Sequence, residues 1–251
     1  MPNFRLLLEY DGSEFEGWQA QAGDKRTVQG CLAGALERVT GAPAQVTGAG
    51  RTDAGVHAQG QVASARVETR LDADTLRRAL NGVLPPDLVV LEAAVARDDF
   101  HPLREARRKL YRYRIWNGAV RSPLRRHRCL YVAQPLDLPA MRRAAAALVG
   151  ERDFAAFRAA GSSARTSVRT LTRVELRGEA GAEVEIEVEG TGFLRHMVRN
   201  LVGTLVEVGK GRRDVDSMPA LLASGDRRRA GPTAPARGLC LVRADTGARN
   251  A

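Results

Sequence analysis

Residues 4–10, Phe-Arg-Leu-Leu-Leu-Glu-Tyr, make a short apolar run closed by Asp11-Gly12, the pattern of a buried strand entering a turn. Apolar positions then recur at helical spacing: Val28, Cys31, Leu32, Ala35, Leu36 and Val39. Thr27 is placed to cap that helix and Gly41 to stop it. A glycine-dense loop over 48–60 leads to a strand near 61–67. The spacing predicts a helix over 73–83, ended by Pro85-Pro86, and a further strand over 88–95.

The second half is built in the same style. Residues 109–116 alternate as a strand, with Tyr111, Tyr113 and Ile115 on one face and Leu110, Arg112, Arg114 and Trp116 on the other. A helix is predicted over 138–149. Residues 171–176 and 184–188 alternate cleanly and form a hairpin around Gly178–Gly181; Glu183, Glu185, Glu187 and Glu189 share the outer face of its second strand. In a basic protein that acidic face is expected to point away from any polyanion. Leu194, Met197, Val198, Leu201, Val202 and Leu205 give the apolar stripe of a helix over 193–208. A short helix near 215–223 and a strand over 239–242 close the pattern. The expected class is α+β, mainly antiparallel sheet with helices packed on one face. The division falls between a half over 1–103 and a half over 104–251.

Composition changes this picture in one respect. The chain has 251 residues and a net charge of +10, and lysine occurs only at Lys25, Lys109 and Lys210, so arginine supplies nearly all the positive charge. A coding bias explains arginine over lysine; it does not explain the excess over Asp and Glu. Guanidinium forks bind phosphate oxygens bidentately and stack on bases, so nucleic acid is the leading partner and an anionic membrane surface trails it. Three runs stand out: Arg104, Arg107, Arg108 and Lys109; Arg121 with Arg125-Arg126-His127-Arg128; and Arg227-Arg228-Arg229. Any one run is ordinarily a solvated face.

No stretch reaches the roughly 18–20 apolar residues of a membrane span, and Met1-Pro2-Asn3-Phe4-Arg5 lacks the apolar core of a secretory signal, so a cytoplasmic location is expected. Cys31, Cys129 and Cys240 are odd in number and far apart, and His57, His101, His127 and His196 show no ligand spacing. Neither a metal nor another cofactor is expected.

The least ordinary stretch is Gly48-Ala49-Gly50-Arg51-Thr52-Asp53-Ala54-Gly55-Val56-His57-Ala58-Gln59-Gly60. Its glycines permit close backbone approach, yet it matches neither a Walker loop nor a dinucleotide fingerprint. A polar loop holding one acid between an arginine and a histidine reads as a site.

Gly50–His57 resembles, without a break, the catalytic motif of the tRNA pseudouridine synthase A family. Further blocks follow in the family's order. They are Glu9–Gly12 with Gly17-Trp18-Gln19, Tyr111-Arg112-Tyr113, Asp153-Phe154 with Phe157-Arg158, Phe193–Asn200, and Gly238–Leu241. The resemblance implies a pseudouridine synthase fold, two related halves around a central active-site cleft. It implies Asp53 as the catalytic carboxylate and Tyr111 as an aromatic surface for an extruded uracil. Arg199, on the margin of the last apolar stripe, is implied as the partner of Asp53, a pairing that favours a charged carboxylate. Arg51 is expected to hold the extruded nucleotide, with a loop-bracing salt bridge as the alternative, and His57 to support the loop rather than move protons. The resemblance further implies a homodimer cradling tRNA, with uridines at about positions 38–40 of the anticodon stem-loop as targets reached by base extrusion. A non-catalytic tRNA-binding or chaperone protein, or a pseudouridine synthase with another RNA target, are the alternatives.

Overall fold

The computed structural model describes residues 1–23, 25–162 and 164–247. Among them the strands, in chain order, are β1 (Asn3–Tyr10), β2 (Gln45–Gly48), β3 (His57–Arg66), β4 (Leu88–Ala96), β5 (Ala106–Trp116), β6 (Leu130–Tyr131), β7 (Gly150–Asp153), β8 (Val168–Gly178), β9 (Glu183–Gly190) and β10 (Leu239–Thr246). The helices are α1 (Val28–Thr40), α2 (Ala73–Val83), α3 (Pro102–Glu105), α4 (Leu138–Ala146), α5 (Met197–Gly209) and α6 (Met218–Ser224). The fold is α+β and the pairing is mainly antiparallel.

Two compact units result: Met1–Arg107 together with the chain from Cys240, and Arg108–Leu239. The sequence division ran from 104 to the end in one piece, whereas β10 returns to the first unit. Its Cys240 and Leu241 pair in parallel with His57 and Ala58 of β3.

In the first unit β1 lies between β3 and β4, antiparallel to both, and β2 adds to β3. Phe4, Leu6, Leu8 and Tyr10 are all buried, as the alternation along β1 requires. The helix signals act as read. The Thr27 side chain accepts from the Gly30 N–H, and Gly41 sits at φ +72° in the left-handed region where a glycine is favoured. Asp72 caps α2 by accepting from the Thr75 N–H. The loop before β3 is shorter than expected, since ladder bonds to β1 and β10 begin at His57 and Ala58.

In the second unit β5, β9, β8 and β7 follow one another antiparallel, and β6 runs parallel to β5. The acidic face of β9 is not bare. Arg112 meets Glu187 at 2.9 Å and Glu185 at 3.4 Å, and Arg114 meets Glu185 at 3.0 Å. Arg173 reaches Glu187 at 3.1 Å from the other side. Glu187 is 3% exposed, so this cross-strand ladder neutralises charges that an open carboxylate row would leave costly.

Helix α5 starts at Met197, four residues later than the stripe predicts. His196 holds φ +58°, the one left-handed non-glycine residue among the described residues, and ends a turn. Phe193 packs edge-on against Tyr111, ring centroids 5.0 Å apart, instead of extending the helix. Farther along α5, a Cβ at Gly203 would overlap the Pro232 carbonyl. Thr204 Oγ1 accepts from the Gly231 N–H. These contacts press the segment 231–235 onto α5.

Candidate functional site

The loop between β2 and β3 is fixed by the turn that follows β1. The Trp18 N–H donates to the Thr52 carbonyl at 3.0 Å, the Gly55 N–H to the Phe15 carbonyl at 3.2 Å, and the Val56 N–H to the Asp53 carbonyl at 3.1 Å. Two glycines make this approach possible. A Cβ on Gly12 would overlap the Val56 carbonyl, and one on Gly17 would lie 2.9 Å from the Thr52 oxygen. Gly17 also holds φ +96°, a conformation that side chains strain to adopt.

Side chains complete the brace. Tyr10 and Thr52 share a buried hydroxyl hydrogen bond of 2.8 Å, and Gln61 Nε2 donates to the Gly50 carbonyl at 2.8 Å. Burial pushes the Tyr10 phenol upward, so it acts as a neutral hydrogen-bonding group. The indole of Trp18 fills the space that a side chain at Gly48 would need. His57 is buried, and its Nδ1 accepts from the Gly12 N–H at 3.0 Å. Asp11 Oδ1, 3.1 Å from the same nitrogen, accepts from the N–H and Oγ–H of Ser13. His57 thus holds the loop to the turn.

Between these braces Thr52 is buried, Asp53 half-buried and Arg51 exposed. A half-buried carboxylate on a turn braced by main-chain bonds is suited to meet a ligand. Of the residues read as a site, Arg51 and Asp53 share this loop. The sequence showed the loop; it did not show that Tyr10, Gly12, Gly17 and Gln61 hold it.

Tyr111 and Arg199 belong to the second unit. Tyr111 is 7% exposed and is stacked edge-on by Phe193. Tyr113, on the same face of β5, is fully buried, and its hydroxyl donates to the Pro235 carbonyl at 2.8 Å. The nearby Arg199 cation acts electrostatically on that phenol, although burial dominates and raises its pKa. Arg199 Nε donates to the Ala234 carbonyl at 2.8 Å, and the Ala234 N–H returns a bond to the Arg199 carbonyl. The segment pressed onto α5 therefore orients both Tyr113 and Arg199.

The arginine runs divide by partner. Arg227 is a structural clamp: it donates to the Gly231 carbonyl, Asn200 Oδ1 and Thr233 Oγ1, all at 2.9–3.0 Å. Arg228 pairs with Asp226, and Arg125 pairs with Glu183 while lying 4.5 Å from the Trp116 ring centre. Arg104, Arg107, Arg108, Arg121 and Arg126 are exposed. Among the described residues no group of His, Cys, Asp and Glu could hold a metal ion, and no helix is long and apolar enough to cross a membrane.

The model of a family described as tRNA pseudouridine synthase matches residues 7–102 and 144–245. The chain is 51% identical over 241 residues to a protein of Myxococcus xanthus named tRNA pseudouridine synthase A, covering 96% of this chain and 91% of that one. A protein of the same name from Moorella thermoacetica is 47% identical over 246 residues, covering 98% of this chain and all of the other. One from Syntrophotalea carbinolica is 48% identical over 238 residues, with 95% and 94% covered.

Proposed function

Because the chain belongs to the tRNA pseudouridine synthase family and is an isomerase, we propose that it converts uridine to pseudouridine in the anticodon stem-loop of tRNA, with Asp53 as the catalytic carboxylate. The observation that supports this most is the braced loop of the first unit. There the unbroken segment Gly50–His57 presents one half-buried acid on a backbone held by the Trp18, Phe15 and His57 hydrogen bonds.

The reaction breaks the N1–C1′ bond of uridine and forms a C5–C1′ bond. The proton on C5 leaves and N1 gains one. No electrons are exchanged and no group is donated, so the task of the protein is to extrude, hold and turn the base. A carboxylate serves it by attack at C1′, by taking a ribose proton, or by addition to the base, and each route uses its ionised form. Tyr111, held by Phe193, offers the flipped uracil an aromatic surface in place of its lost stacking. Arg199 supplies a positive charge for the reaction, and the exposed Arg51 contacts the extruded nucleotide. The exposed arginines of the first two runs give the tRNA backbone its electrostatic track. We place the enzyme in the cytoplasm as a homodimer around its tRNA.

Arg199→Met is expected to lower turnover roughly 100-fold, the usual scale for one electrostatic group at a reacting centre. Loss of the bond to Ala234 should cost about 1 kcal/mol of stability, leaving the protein folded. Near-normal turnover would remove Arg199 from the reaction. The target positions are tested by mapping pseudouridine in tRNA from a deletion strain and its complemented partner. Loss and recovery confined to the anticodon stem-loop are expected; changes elsewhere in RNA would overturn that assignment.

A further inference from the structure

Lys109 lies two residues before Tyr111 on β5, so both side chains stand on the same face of the sheet. Its cross-strand partner is Gly190, where a Cβ would meet Leu171 and Phe193. Phe193 is the ring that packs on Tyr111. The lysine stem thus runs beside the aromatic pair that receives the base.

Its charge is handled unlike the others on this sheet. Arg112, Arg114 and Arg173 each reach a glutamate of β9. Among the described residues no hydrogen bond or ion pair is formed by the Lys109 ammonium. A flexible lysine ordinarily snorkels its charge into water. Lys109 does so incompletely: it is only partly exposed, and removal from water alone pulls its pKa down to about 8. An ammonium kept from water without an anion weakens the fold, and the cost is recovered if a ligand brings the anion.

We infer that the Lys109 ammonium binds a backbone phosphate of the RNA strand at the nucleotide held by Tyr111. The inference rests on the tRNA reading given above. An anion of that kind is the one the substrate must bring beside an extruded base, and the four-carbon stem carries a compact cation to it. Arg104, Arg107 and Arg108 of the same run are exposed and steer the polyanion from solvent. Lys109 differs in standing on the face of the strand that carries Tyr111.

The test is a titration of tRNA at several KCl concentrations, in full-length protein carrying Asp53→Ala to prevent turnover. Adding Lys109→Met should weaken binding about tenfold at low salt. It should also reduce the slope of log affinity against log salt by about 0.7–0.9, the value for one phosphate contact. Lys109→Arg should restore the slope. Thermal unfolding should show Lys109→Met at least as stable as its parent. In the protein with Asp53 intact, KM should rise for Lys109→Met with kcat changed less than about threefold. An unchanged slope, with or without a loss of affinity, would overturn the phosphate contact. So would a loss of binding that tracks a lower melting temperature. If the protein with Lys109 intact fails to bind tRNA, both this inference and the tRNA reading fall. If binding shows the stated slope change yet the protein with Asp53 intact never turns over, the isomerase reading fails and the Lys109 contact stands.

Discussion

Gly17→Ala is expected to destabilise the first unit by about 2–4 kcal/mol and to lower turnover more than it lowers tRNA binding. Two independent costs combine at this position. The backbone sits at φ +96°, where an alanine is strained, and the added methyl would lie 2.9 Å from the Thr52 oxygen and 3.1 Å from the Ala54 nitrogen. Those atoms are main chain, so they yield only if the loop itself moves. Since the Trp18 N–H to Thr52 bond fixes that loop, the strain is delivered to the residue before Asp53. Catalysis tolerates such displacement poorly, because a misplacement of about 1 Å costs on the order of 100-fold. Thermal unfolding and turnover at a temperature well below the transition measure the two effects separately. An unchanged melting temperature would show that the loop is not held as described.

Much of the first unit was legible because its signals are local. Thr27 and Gly41 bracket α1, Pro85-Pro86 follow α2, and the β1 run ends where Asp11-Gly12 turns. Long-range pairing has no such signal. Nothing near Leu239–Val242 indicates that β10 returns to pair with β3, and β2, β6 and β7 span only 4, 2 and 4 residues. The start of α5 was misplaced because Phe193 and Leu194 extend a helical stripe as readily as they fill a turn. Only the packing of Phe193 on Tyr111 decides between them.

The same contrast governs the charged residues. The alternation of acids on β9 was plain, but an acidic row in a basic protein reads as a face turned to solvent. Its pairing with Arg112, Arg114 and Arg173 depends on strand register, which one sequence does not supply. Arg227 looked like part of a basic run and is a clamp on Asn200 and Thr233. Lys109 looked like the end of another run and is set apart by its burial. The loop holding Asp53 was found early for a different reason. An acid between Arg51 and His57 among four glycines serves no propensity, so its residue types alone point to a site.

Asp53→Ala is expected to abolish turnover, with a fall of at least about 1,000-fold, while tRNA binding stays within about threefold of the parent. Each proposed route uses a carboxylate at this position, and alanine offers neither a nucleophile nor a base. In the proposed complex, binding is carried by phosphate contacts spread over the exposed arginines and Lys109. Asp53 is half-buried, and main chain together with Tyr10, Gln61 and His57 holds the loop around it, contacts that the substitution retains. The direct measurement is release of tritium from tRNA labelled at C5 of uridine, because the label leaves only when C5 becomes the glycosidic carbon. Release by the unsubstituted enzyme is expected, and none by folded, tRNA-binding Asp53→Ala. Absence of release from the unsubstituted enzyme, or undiminished release after Asp53→Ala, would contradict it.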